Sequence, residues 1–351
     1  MLKKIFSFAV ISVFLQYLVI AQIPTGYYNS ANGLTGLTLK TALYNIIKGH
    51  TQGTYAGLYT SYQTTDNLPN GKVWDMYSTC TWTPGVKKCG NYSVVCDCYN
   101  REHSIPQSWF NEASPMVSDA FHVYPTDGKV NGQRSNYPFG ECSGGTTLSG
   151  GKGRLGSCTF PGYSGTVFEP VDEYKGDFAR TYFYFATRYQ NIMTTINGES
   201  FNKTTYPALT DWAVNLFLKW SRQDPVSQKE RDRCNAVEAY QKNRNPFIDY
   251  PELAEHIWGT KKGIPWSFTS AVDDVKIEFS ISPNPVQDVL RIKSDESQFH
   301  YVIYNLNGQV LMQNDVNGNS TISTSQLNNG MYLLELSAGT RKTIQKFVVN
   351  R

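Results

Sequence analysis

The chain has 351 residues, 40% hydrophobic, 14% aromatic and only 17% charged, with a formal net charge of +3. That length and composition exclude a disordered polymer and leave room for a sizeable core and more than one folded unit. The charge excludes recognition of nucleic acid by a strong global field: residues from Asp273 onward carry a net −1, and setting the two leader lysines aside leaves about +2 for the middle of the chain, so any basic groove must be local.

Residues 1–21 open the chain with Lys3 and Lys4, an almost wholly apolar run from Ile5 to Ile20, and Val19 and Ala21 at the −3 and −1 positions before Gln22. This is the pattern of a cleaved secretory signal peptide, against the alternative of an uncleaved anchor. No later run approaches ~18 apolar residues, so the mature protein is expected to have no membrane span.

Residues 22–266 read as one α+β domain. A helix is predicted over 38–47, with Leu39, Leu43 and Ile46/Ile47 on one face, and a second over 172–190. A third covers 210–222, with Trp212, Leu216 and Trp220 as a core stripe, Thr210 as its N-cap and Pro225 beyond its end. A fourth covers 228–243, with Val237 and Tyr240 inward. Its Lys229, Arg231, Arg233 and Lys242 face outward, as a solvated surface or a phosphate-binding face.

The character changes at a linker over 267–275. Residues 276–351 alternate over 276–281, 289–293, 301–305, 310–313, 331–336 and 343–349. Turn signals such as Pro283-Asn-Pro285, Asn307-Gly308 and Asn329-Gly330 separate the runs. A small all-β sandwich follows from that spacing, and with no Cys and only His300 it is an accessory.

Seven cysteines in an exported chain read as disulfides with one left over. Cys142 and Cys158 bracket a Gly-rich hairpin and form one candidate pair; Cys89 and Cys98 form another. The Cys96-Asp-Cys98 pair lacks the CxxC spacing of common zinc sites and has no His pair nearby, which sets zinc aside.

The densest chemistry lies in Cys98-Tyr-Asn-Arg-Glu-His-Ser-Ile-Pro-Gln-Ser-Trp-Phe110 and in the stretch from Ser118 to Phe139. Phosphodiester hydrolysis needs a base for water and positive charge for the phosphate and the leaving oxygen. A neutral His, pKa about 6.5, suits the first task at neutral pH, and a hard cation on oxygen ligands suits the second. Glu102 and His103 are adjacent, so a strand sends them to opposite faces unless its end or a bulge turns both toward one site. Asn131 comes 29 residues after Glu102, on a short helix predicted to start at Asp127-Gly128. There Asn131 and Arg134 share a face, offering a carbonyl oxygen to a metal and a guanidinium to a phosphate.

These segments resemble the endonuclease I family, whose members share an Arg-Glu-His-x-x-Pro element and a later Asp-Gly-x-Val-Asn-x-x-Arg-Ser-Asn element. The resemblance extends to Val73-Trp-Asp-Met-Tyr-Ser78, Lys175-Gly-Asp-Phe-Ala-Arg180 and Asn243-Arg-Asn-Pro-Phe-Ile-Asp249, and so covers roughly residues 27–258. It implies a His-Me finger (ββα-metal) nuclease domain with added helices. His103 would be the general base, with Glu102 and Asn131 holding a single Mg2+ (or Ca2+ or Mn2+). Arg134 takes a phosphate or site-organising role, and the products carry 5′-phosphates. In this family a backbone carbonyl commonly fixes the base's ring. Two departures stand out. Phe121 replaces the first of a His pair many relatives carry, so His122 is read as packed structure rather than as support for the site. The spacer between the motifs is short, so a phosphate-holding Arg supplied there by some members has no match.

The tail resembles the C-terminal sorting domain of type IX secretion through Ser282-Pro-Asn-Pro285, Tyr304-Asn-Leu-Asn-Gly308, Asn329-Gly-Met-Tyr332 and Lys346-Phe-Val-Val349. It implies passage across the outer membrane by that machinery, then release or surface attachment. The expectation is a secreted, non-specific endonuclease acting on DNA and/or RNA. A non-catalytic nucleic-acid-binding protein or adhesin on the same fold is the alternative. A protease or lipase is set aside, because no HExxH or GxSxG occurs in the chain.

Overall fold

The computed structural model describes residues 23–267 and 279–351, except 295, 307, 339 and 340. The expected signal peptide and all of the expected linker but Ser267 lie outside these residues. The chain divides into two compact units, with the boundary between residues 268 and 269. Among the described residues, no helix is long and apolar enough to cross a membrane.

The first unit begins with α1 (Gly36–Ile47), which buries Leu39, Leu43 and Ile47, and α2 (Leu58–Thr65). Next come strands β1 (Tyr99–His103) and β2 (Val123–Asp127), the helix α3 (Gly128–Arg134) and a hairpin of β3 (Arg154–Ser157) and β4 (Thr166–Glu169). Helices α4 (Lys175–Arg188), α5 (Asp211–Gln223), α6 (Gln228–Gln241), α7 (Pro246–Asp249) and α8 (Leu253–Ile257) complete the unit.

The centre of this unit is α4. Every residue from Gly176 to Arg188 is buried, and the helix packs on α1, α5 and α7. Aromatic side chains such as Phe178, Tyr182, Phe183 and Phe185 fill most of its surface, and its buried polar groups, Arg180 among them, find partners inside the unit. The Trp stripe of α5 is core as expected, with Trp212, Leu216 and Trp220 all buried. Thr210 occupies the N-cap position of α5, but its hydroxyl donates to the carbonyls of Glu199 and Ser200 instead of capping. Helix α6 carries a capping box, Ser227 with Glu230, which the sequence reading missed.

One expectation for α6 is corrected. Arg233 does not face outward: it is buried, pairs with Asp66 at 2.7 Å and donates to the carbonyls of Ala120 and Val123. Burial without those acceptors would be prohibitive, so Asp66 and the β2 approach turn this residue inward. Arg180 of α4 is handled the same way, with both carboxylate oxygens of Glu230 on its guanidinium.

The second unit is all-β: β5 (Phe279–Ser282), β6 (Val289–Ser294), β7 (Gln298–Tyr304), β8 (Val310–Asn317), β9 (Ser320–Ser323), β10 (Gly330–Ala338) and β11 (Arg341–Val349). A four-stranded sheet in the order β11-β10-β7-β8 and a three-stranded sheet in the order β5-β6-β9 share one core that includes Leu290, Phe299, Leu334 and Phe347. The strand pairings within both sheets are antiparallel. Six of these strands follow the expected alternation. The seventh, β9, is short and mostly polar, and escaped it.

Two disulfides form in the first unit, Cys80–Cys96 and Cys89–Cys98. The second was a candidate pair; the first was not considered. Cys142 and Cys158 face each other across an isolated antiparallel bridge, yet both stay thiols, as does Cys234. The Cys142 sulfur meets the Glu169 carboxylate and the Cys158 sulfur the Phe160 carbonyl.

Candidate active site

The site is built on a ββα unit. Strands β1 and β2 pair antiparallel in unbroken register, from Tyr99 opposite Asp127 to His103 opposite Val123. No bulge turns Glu102 and His103 to the same side. His103 is the last residue of its strand, and the two side chains find different partners, as the pleat dictates.

Asp127 starts α3. Its Oδ1 accepts from the backbone N–H groups of Lys129 and Val130, capping the helix, while its Oδ2 accepts from the Cys96 N–H. Gly128 is required next: a Cβ there would lie 2.4 Å from the Cys89 sulfur. The Cys89–Cys98 disulfide therefore sits directly against the first turn of α3.

Helix and strand periodicities then mesh. Asn131 and Arg134, three apart on α3, reach Asn100 and Glu102, two apart on β1. The Asn131 Nδ2 donates to Asn100 Oδ1 at 2.6 Å, and the Arg134 Nη1 donates to Glu102 Oε1 at 2.9 Å. Tyr77 adds its hydroxyl to the same Oε1 at 2.8 Å. Glu102 is 1% exposed, and burial pushes its pKa up while Arg134 and Tyr77 pull it back. Its Oε2 and the Asn131 Oδ1 accept no hydrogen bond from the described residues. One carboxylate and one amide oxygen, each free of protein donors and each held by its other atom, form a donor set of the kind hard divalent cations take.

Arg134 faces inward. It is 1% exposed; beyond Glu102, its Nη1 donates to the His103 carbonyl at 2.7 Å and its Nη2 to the Ser104 carbonyl at 2.6 Å. It ties the end of β1 to α3 and sets the Glu102 carboxylate.

On the other face of β1, the His103 Nε2 lies 3.0 Å from the Val117 carbonyl, to which it donates, leaving Nδ1 as the acceptor. Gln107 Nε2 donates to Nδ1 at 2.9 Å and also to the Tyr55 hydroxyl. Burial, with His122 nearby, pushes the His103 pKa down to about 3, so the ring is neutral. His122 is fully buried among Phe110 and Phe185, with Nε2 against the Met116 carbonyl, and its ring centre lies 5.7 Å from that of His103. It is packed structure that also walls the His103 ring.

Asn100, Tyr77, Gln107 and the Val117 carbonyl were not assigned from sequence. Tyr77 and Gln107 lie inside segments that carry the family resemblance, which was the available signal; a backbone carbonyl leaves none. Among the described residues, no group of three or more His, Cys, Asp or Glu is placed to hold a metal.

Residues 35–252 match the endonuclease I family, and residues 280–350 match the secretion system C-terminal sorting domain. Together they define a secreted nuclease. The chain belongs to the endonuclease I family. It is 37% identical over 238 residues to an extracellular ribonuclease of Bacillus amyloliquefaciens, covering 66% of this chain and 78% of that one. An extracellular ribonuclease of Bacillus subtilis (strain 168) is 36% identical with the same coverage. A periplasmic deoxyribonuclease of Aeromonas hydrophila is 26% identical over 140 residues, 39% of this chain and 50% of that one. The family is generally dependent on divalent metal.

Proposed function

We propose that the first unit is a His-Me finger nuclease domain that hydrolyses DNA and/or RNA without marked sequence preference. The reading rests on one observation: a ββα unit carries an oriented neutral imidazole at the end of β1, while Glu102 on β1 and Asn131 on α3 of the same unit each keep one oxygen free of donors among the described residues. His103 is the general base, taking a proton from water at Nδ1 once the Gln107 amide that donates to this nitrogen turns aside. The Val117 carbonyl holds its tautomer, and the negative charge of an approaching phosphate raises its proton affinity from the low value of the free protein.

Glu102 Oε2 and Asn131 Oδ1 would hold a divalent cation, Mg2+ in the first instance and Ca2+ or Mn2+ as substitutes. Such an ion would supply positive charge to the reacting phosphate and its leaving group. Arg134 is a positioning residue that orients Glu102 and the end of β1. Water attack with departure of the 3′ oxygen gives 5′-phosphate products. The nearer of the compared relatives are named ribonucleases and the more distant ones deoxyribonucleases, which supports assaying both polymers. Residues 1–21 act as a signal peptide, and the tail engages type IX secretion machinery, delivering the protein outside the cell or to its surface.

The test is incubation of the mature protein with supercoiled plasmid and with structured RNA, with Mg2+ and with EDTA, beside His103→Ala. Metal-dependent cutting lost in His103→Ala supports the reading. Retained cutting in that variant removes His103 from the chemistry. Retention of nucleic acid without turnover makes the protein a binder.

A further inference from the structure

Arg134 directs Nη1 and Nη2 inward, so it offers no phosphate contact on the face where His103 stands. A different arginine is there. Arg101 precedes His103 by two residues on β1, and the pleat puts both side chains on one face. The Arg101 guanidinium carbon lies 3.5 Å from the centre of the Tyr55 ring and 4.6 Å from that of Tyr59. Tyr55 bridges the two residues: its ring centre is 5.7 Å from that of His103, and its hydroxyl accepts from the Gln107 that also touches His103.

Among the described residues Arg101 lacks a counter-ion, as does Arg188, whose Nε meets His50 instead. Arg134, Arg154, Arg180, Arg222, Arg233 and Arg244 each pair with a carboxylate. Arg101 pairs with none among the described residues. Its Nη1 donates to the Tyr55 carbonyl at 2.9 Å, its side chain also meets the Tyr59 hydroxyl, and its Nε is buried without an acceptor. A half-buried guanidinium without a counter-ion is unfavourable to keep. Stacked on a tyrosine and fixed by one backbone bond, it is already arranged to receive an anion, and its fork of donors suits phosphate oxygens.

We propose that Arg101 is a catalytic residue that grips a phosphate of the bound strand beside His103, with Tyr55 as its rigid platform. This rests on the nuclease reading for its substrate. Arg101 supplies the phosphate contact and Tyr55 sets its direction, so charge and orientation are separable by substitution.

The experiment uses the full mature chain with Arg101→Gln, Arg101→Lys and Tyr55→Leu. Cleavage of duplex DNA is measured across a salt series, and binding of a fluorescent duplex is measured in EDTA, where nothing is cut. Arg101→Gln is expected to lower kcat/KM by about 10- to 100-fold and to make the log–log salt slope of binding shallower by about one, the loss of one phosphate contact. Arg101→Lys restores the slope but only part of the rate, and Tyr55→Leu lowers the rate with the slope kept. If Arg101→Gln fails to fold, the two other variants carry the test: wild-type rate in both overturns the proposal. An unchanged salt slope in a folded Arg101→Gln protein also overturns it, whatever its activity. If the wild type cuts neither this duplex nor structured RNA, the nuclease reading falls instead, while the EDTA binding slopes still decide whether Arg101 meets phosphate.

Discussion

Replacing Arg134 with Met tests how far the site depends on a buried ion pair. Arg134 and Glu102 are each 1% exposed and 2.9 Å apart, and the same guanidinium satisfies the carbonyls of His103 and Ser104. Methionine keeps most of the apolar stem but leaves a buried carboxylate without its counter-charge and two carbonyls without this donor. Breaking such a pair from one side costs about 3–5 kcal/mol, a large part of a typical domain's stability. The Glu102 pKa, already pushed up by burial, rises further once Arg134 no longer pulls it down, so the carboxyl takes up a proton nearer neutral pH and loses metal affinity. Glu102→Gln alone strands the guanidinium in the same way. The double variant should therefore cost less than the sum of the singles by roughly 2–3 kcal/mol. All seven tryptophans lie between Trp74 and Trp266, so tryptophan fluorescence during urea unfolding reports on the first unit alone. EDTA keeps bound metal from contributing. A loss below about 1 kcal/mol for Arg134→Met, or full additivity in the double variant, would refute a strongly coupled buried pair.

Three further outcomes follow from the same geometry. Asn100→Ala removes no expected metal ligand, but it frees the Asn131 amide; divalent-ion affinity by calorimetry should fall about 10- to 100-fold, and an unchanged affinity would detach Asn100 from the site. Burial lowers the His122 pKa from 6.5 to about 4. The unfolded chain therefore takes its proton first as pH falls, and stability drains between pH 6.5 and 4 by ~3 kcal/mol from this residue. His122→Phe should flatten that acid-side loss in urea titrations, and an equal loss in both proteins would exclude His122 as its source. The unfolded, unreduced protein should titrate three thiols with a chromogenic disulfide, for Cys142, Cys158 and Cys234; a count of one would mean that Cys142 and Cys158 had joined.

The legible parts of the fold were those where one period runs long enough to show. Leucines and isoleucines at helical spacing marked α1, and alternation between Asn-Gly turns marked most tail strands. Asp127-Gly128 announced α3, because a capping carboxylate and a residue without Cβ are both needed there. The short hairpin β3–β4, the polar β9 and the eight-residue α2 carry no comparable period. Arg233 shows the limit of a pattern: on a helix a lone arginine reads as surface, and only Asp66 and two carbonyls, distant in sequence, make it core. At the candidate site, the types and spacing of Glu102, His103, Asn131 and Arg134 raised a base and a cation as an expectation, and the family resemblance assigned their roles. Their partners were not legible, because Tyr77, Asn100 and a carbonyl at Val117 are joined to them only by the fold.

The loop before β1 carries a further consequence. Asp127 caps α3 with one oxygen and takes the Cys96 N–H on the other, and Cys96 is anchored by its bond to Cys80. A chain still inside the cell, where thiols stay reduced, lacks both that anchor and the Cys89–Cys98 brace under the first turn of α3. The helix that presents Asn131 is then less firmly held during the time when the producer's own nucleic acid is within reach. We expect the reduced protein to cut far more slowly than the oxidised one at equal concentration; equal rates would sink this. Oxidation on leaving the cell would thus act as a safety catch, arming a toxic activity only after it has left its maker.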